Sequence, residues 1–107
     1  MALLKGTLDV LVLKALSWGP MHGFEIISWL EERSGGRLEV SDAALLQALH
    51  RMEEQDFVAA EWGITGNDRR ARYYSMTRKG RAHLRAESAA LTDHLGALNA
   101  VLDALRR

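Results

Sequence analysis

The sequence predicts a mainly α fold with a small β-hairpin, ending in one long C-terminal helix. Three observations carry that expectation. Apolar residues recur at steps of three and four through three N-terminal segments, which is helical spacing. Two segments rich in β-formers then flank a turn centred on Gly66-Asn67-Asp68. Finally, leucines run in a heptad row from Leu84 to Leu105.

The first helix follows from Leu4, Leu8, Leu11, Ala15 and Trp18, with Gly19-Pro20 as its stop. Val10, Val12, Leu13 and Leu16 widen its apolar surface, so it must bury more than one face. A second helix runs from about His22 to Ser34 with Phe24, Ile27 and Leu30 inward, and Gly35-Gly36 ends it. Arg37 to Val40 reads as a short extended link. Ser41 or Asp42 then caps a third helix with Leu45, Leu49 and Met52 inside and Gln47, His50 and Arg51 outside. Phe57 to Trp62 and Arg72 to Met76 are the expected strands of the hairpin.

Three helices followed by a hairpin is the order of a winged helix-turn-helix. Residues 1–76 are read as that domain and residues 77–107 as a C-terminal dimerisation helix capped by Thr77. In that helix Leu84, Leu91, Leu95, Leu98, Leu102 and Leu105 form the seam, and Leu4, Leu8 and Leu11 of the first helix are expected to join it in a dimer interface. A helix folded back on its own domain is the intramolecular alternative. From Thr77 to Leu105 the helix would extend about 40 Å, longer than a small domain can cover.

Composition narrows the function classes. The chain has 107 residues, 48% of them hydrophobic, which leaves little room for a separate catalytic module. There is no cysteine, so disulfides, thiolate nucleophiles and cysteine-rich zinc sites are excluded and the cytoplasm is the expected compartment. No apolar run approaches the roughly 20 residues of a membrane span. His22, His50, His83 and His94 lack the paired spacing of a metal site, so neither metal nor cofactor is expected. Without a nucleophile–base pair or a phosphate loop, an enzyme is not expected either.

The formal net charge is +0, but its distribution is zoned. Between Arg69 and Arg85 there are seven basic residues and no acidic one, a block suited to phosphate contacts. A solvated loop that keeps the hairpin soluble is the plainer reading of the same charges.

The motifs point further. Leu4-Lys5-Gly6-Thr7-Leu8, Gly19-Pro20-Met21-His22-Gly23-Phe24, Ala48-Leu49-His50-Arg51-Met52-Glu53, Arg69-Arg70-Ala71-Arg72-Tyr73-Tyr74 and Thr77-Arg78-Lys79-Gly80 together resemble the PadR family of regulators. The likeness covers about the first 85 residues, and the remainder is similar to the short subgroup with a single C-terminal helix. It implies a homodimeric repressor of double-stranded DNA, with the third helix in the major groove, the wing on the backbone or minor groove, and release by a small molecule in some members.

On that arrangement Lys5, His22 and the wing residues Asn67, Arg69, Arg70 and Arg72 would meet the backbone. Gln47 and Arg51 would read bases, with Ser41, Asp42, Ala44, Leu46 and His50 around them. The chain departs from the family where Ala43-Ala44-Leu45-Leu46-Gln47-Ala48-Leu49 replaces the frequent Gly-Ser-Leu-Tyr-Pro-Ala-Leu, so a serine and a tyrosine become Ala44 and Leu46. Leu46 is then a candidate for a thymine methyl. The loss also allows a second reading, a protein-interaction module on the same scaffold. Trp18, Trp29 and Trp62 are candidates for an aromatic effector pocket at the dimer interface, or ordinary core and boundary residues.

Overall fold

The computed structural model describes residues 6–105. Helices α1 (Thr7–Leu16), α2 (Gly23–Arg33) and α3 (Asp42–Glu54) precede strands β2 (Val58–Ile64) and β3 (Arg70–Met76), and α4 (Arg78–Leu102) closes the chain. A two-residue strand β1 (Met21–His22), expected from the sequence only as a turn, adds to the hairpin. The sheet is antiparallel in the order β1-β3-β2, with Met21 opposite Tyr74 and His22 opposite Tyr73.

Each helix starts where local chemistry satisfies its free amides. At α2, His22 Nδ1 accepts the Glu25 N–H at 3.3 Å while Glu25 Oε1 accepts the His22 N–H at 3.1 Å, a reciprocal cap. Ser41 Oγ accepts the Ala44 N–H at 3.1 Å to open α3. Thr77 Oγ1 accepts the Gly80 N–H at 2.9 Å to open α4. Gly35 and Gly36, at φ of 65° and 78°, turn the chain out of α2 in the left-handed region that side chains disfavour.

The core gathers Val12, Leu13 and Leu16 of α1, Ile26 and Leu30 of α2, Leu45, Leu49 and Met52 of α3, and Val58 and Tyr74 of the sheet. The deepest face of α1 is therefore the set that widened its apolar surface, while Leu8 and Leu11 are half-buried at its edge and Trp18 is exposed. Phe24 corrects the sequence reading of α2. It is 76% exposed, and Ile26 is buried in its stead. Ile26 and Leu30 lie one helical turn apart and face α1 and α3, which carries Phe24 at the first turn to the outer flank.

The strands extend two residues nearer the turn than expected, pairing Trp62 with Arg72 and Ile64 with Arg70. Thr65 closes the turn, its N–H donating to the Arg69 carbonyl at 2.8 Å. The molecule measures 62 × 28 × 21 Å with a radius of gyration of 15.7 Å, against about 13 Å for a compact chain of this length. The excess comes from α4, whose 25 residues extend about 37 Å. Only its first part packs on the core, through Gly80, which is buried, and Leu84.

Candidate nucleic-acid interface

The outer face of α3 presents Gln47, His50 and Arg51 to solvent, as their spacing required, and Leu46, which the spacing sets beside the inner stripe, is exposed with them. Ala44 is half-buried. Asp42 stands in the first turn of α3, and Ser41 spends its hydroxyl on the cap. A groove separates this helix from the hairpin, bordered by Asp42 and Leu46 on one side and by Trp62, Asn67, Arg69 and Arg70 on the other. His22 and Phe24 line its end at the start of α2. Leu46 is thus brought together with the hairpin tip, which the sequence could not specify.

Two arginines turn out to be committed. Arg51 Nη2 donates to Asp9 Oδ1 of α1 at 2.7 Å, so the guanidinium expected to read bases is paired with the neighbouring helix, its side chain 54% exposed. The cause is its place at the edge of the outer face, where α3 packs on α1. Arg72 Nη2 donates to Glu53 Oε2 at 3.0 Å, and its ring neighbours are Trp62 and Tyr74. It points to α3 and is not a free wing contact. His22, with a side chain 17% exposed, is spent on the α2 cap and meets the Tyr73 ring edge-on at 5.3 Å.

Arg69 and Arg70 remain exposed at the tip, and no ion pair engages them among the described residues. The Arg70 guanidinium lies 4.7 Å above the Trp62 ring. The basic block that is continuous in sequence is divided in space. From Arg70 to Met76 the strand covers about 20 Å, so Arg78, Arg81 and Arg85 emerge at the opposite end of the hairpin.

The three tryptophans do not meet in one pocket. Trp18 and Trp29 flank Arg33, whose guanidinium is 5.9 and 5.5 Å from their rings, whereas Trp62 belongs to the hairpin groove. They sit on different elements, and nothing in their spacing encoded that separation. Sequence reasoning also missed Phe24 and Ile64 as exposed apolar groups, and Asp9 and Glu53 as the acids that engage Arg51 and Arg72.

On α4 the leucine row divides. Leu84 packs against the chain's own core and Leu91 is half-buried, while Leu95, Leu98 and Leu102 are exposed along with Val101; Leu105, expected in the same helical seam, is exposed beyond the end of α4 at Leu102. Leu4 and Lys5 lie outside the described residues. No helix among the described residues is long and apolar enough to cross a membrane.

Three helices, a paired hairpin wing and an outward third helix define the winged helix-turn-helix class. A family model for the transcriptional regulator PadR-like family matches residues 12–86, and the chain belongs to that family. Its members are transcriptional regulators and not enzymes. A PadR family transcriptional regulator from Eggerthella lenta is 26% identical, with a TM-score of 0.78 over 94% of this chain and 86% of that one. A PadR-like transcriptional regulator from Bacillus cereus has a TM-score of 0.80 at 21% identity, covering 94% and 96% of the two chains. Bacillus subtilis PadR, solved in complex with operator DNA, has a TM-score of 0.66 at 22% identity over 74% of this chain and 46% of that one. The last two likenesses concern the fold.

Proposed function

We propose that this chain is a cytoplasmic, homodimeric repressor that binds a specific duplex sequence through α3 and its wing. The observation that carries the reading is the shared groove. The exposed side chain of Leu46 on α3 and the exposed arginines Arg69 and Arg70 on the wing border one cleft. A helix in the major groove with cationic groups on the adjoining backbone uses that arrangement. Bacillus subtilis PadR, of similar fold, is solved on operator DNA, which supports the same assignment.

Base contacts fall to Gln47, with His50 beside it and Leu46 toward a thymine methyl; Arg51 enters only by leaving Asp9. Backbone contacts fall to Arg69, Arg70 and Asn67. The exposed leucines of α4 supply the subunit contact, since an unpartnered row of this kind gains most by self-association. Two subunits would set their α3 helices about 34 Å apart, one helical turn of DNA. Occupancy of such a site excludes polymerase. No effector pocket is assigned, because the three tryptophans stand apart.

Selection from random duplexes, followed by gel shift at physiological salt, tests the reading. The expected result is a discrete pseudo-palindrome bound by a dimer. Binding that is absent, or indifferent to sequence, overturns it. One observation favours the second reading, a protein-docking module: Phe24, Leu46 and Trp62 make the groove more apolar than phosphate contact requires.

A further inference from the structure

Among the described residues, one side-chain hydrogen bond ties the wing to α3, from Arg72 to Glu53. The guanidinium is flanked by two aromatic rings, with Tyr74 at 5.7 Å and Trp62 at 6.0 Å; the side chain is 35% exposed, but its Nε is buried without an acceptor. Trp62 in turn carries Arg70 at 4.7 Å. A ladder of Glu53, Arg72, Trp62 and Arg70 therefore leads from α3 to the wing tip. Beyond Arg72 the hairpin has little else to fix it, since Trp62, Ile64 and the turn residues 66–70 are all exposed.

We infer that Arg72 is the positioning residue of the wing: held by Glu53, it sets the angle between hairpin and α3 that brings Arg69 and Arg70 to the DNA backbone. This deepens the duplex-binding reading and rests on it. The lever is long. The pivot lies at Tyr74, buried in the core opposite Ala60, and from Ala60 to Ile64 the strand covers about 13 Å, so a tilt of about 10° displaces the tip by about 2 Å. A displacement of that size breaks a hydrogen bond outright. Arginine suits the post because a planar guanidinium stacks on rings while donating in its own plane, which a lysine ammonium cannot do.

The sign of one substitution separates positioning from simple electrostatics. Glu53→Gln removes a negative charge from the DNA-binding domain, so charge alone would tighten binding. Loss of the tie weakens it. Affinity for the selected duplex is measured across a salt series for the full chain, Glu53→Gln, Arg72→Gln, the double variant and Arg70→Ala, with amide exchange of residues 62–70 followed in parallel.

The expected result is at least tenfold weaker binding in each of the first two variants, and a double variant no worse than the weaker single. Their salt slopes stay at the parent value, while Arg70→Ala lowers the slope by about one. Wing amides exchange at least threefold faster in Glu53→Gln and Arg72→Gln. If Arg72→Gln does not fold, Glu53→Gln and Arg72→Lys carry the test, the lysine giving the same loss at unchanged charge.

Unchanged or tighter binding by Glu53→Gln overturns the inference, even where its wing amides exchange faster. A salt slope lowered by about one in Arg72→Gln also overturns it, by making Arg72 itself a phosphate contact. If the parent chain shows no salt-dependent duplex binding, the duplex reading falls and the inference with it. If the parent and Arg70→Ala behave as expected and Glu53→Gln does not weaken, the positioning role alone falls.

Discussion

The Cβ that Gly80 lacks would stand 2.0 Å from the carbonyl oxygen of Phe57. That carbonyl also accepts the Thr77 N–H at 3.0 Å, and Thr77 Oγ1 donates to the Asp56 carbonyl at 2.6 Å. The base of α4 is thus pressed against the 56–57 backbone, with His83 stacked on the Phe57 ring at 4.2 Å. Glycine at position 80 is required by that approach, despite its cost in helix propensity.

Gly80→Ala should therefore destabilise the fold by about 2 kcal/mol or more, since backbone must shift to admit the methyl. Gly96 provides the contrast, with nothing within 4 Å of its missing Cβ. Gly96→Ala should stabilise by about 0.5–1 kcal/mol through helix propensity alone. Urea unfolding of both variants at one fixed protein concentration checks the pair, and equal effects of the same sign would refute the packing argument.

Arg51 can be tested as a structural group. Its ion pair with Asp9 is partly exposed, the arginine side chain by 54%, so Arg51→Met should cost no more than about 1 kcal/mol in thermal unfolding. On the proposed site its loss should leave sequence preference intact. A changed base preference in duplex selection would restore Arg51 as a reader.

The exposed row on α4 predicts association. Leu98→Glu puts a charge in the middle of Leu95, Leu98 and Leu102, all at least 46% exposed in the single chain. Light scattering should report a dimer for the parent chain and a monomer for the variant at micromolar concentration, with the helical signal of the core retained. A dimer that survives the glutamate places the interface elsewhere.

On the proposed reading Arg69 and Arg70 contact phosphates. Alanine at both should lower the slope of log affinity against log salt by about two and weaken binding to all duplexes alike. Fluorescence anisotropy over a range of salt measures this, and an unchanged slope removes the wing tip from the interface.

Much of this architecture was legible in the chain. Leu45, Leu49 and Met52 repeat at helical spacing, Ser41 and Thr77 are caps by their chemistry, and Gly66-Asn67-Asp68 marks a turn. These are local signals, each readable within a few residues. Spacing places Phe24 inward and the fold turns it out, because the first turn of a helix can face either flank and the neighbours that decide it come from elsewhere in the chain. Strand β1 has no signature in the sequence, because two residues carry no periodicity and only β3 gives them hydrogen-bond partners. The outward face of α3, Arg51 included, is legible in the spacing, but the ion pair that Arg51 makes is not. Its partner Asp9 lies 42 positions earlier.

Glycine 80 shows where the division falls. The sequence by itself determined the four helices and the hairpin, their order, the inner stripe of α3 and the presence of arginines at a hairpin tip, because propensity, capping and turn chemistry act between near neighbours. Tertiary structure alone decided which arginines are free and which are held. Arg69 and Arg70 have no carboxylate within ion-pair distance among the described residues, whereas Arg51 and Arg72 fall within reach of carboxylates on other elements. Ion pairing and steric approach depend on distances across the fold, and no spacing along the chain encodes them.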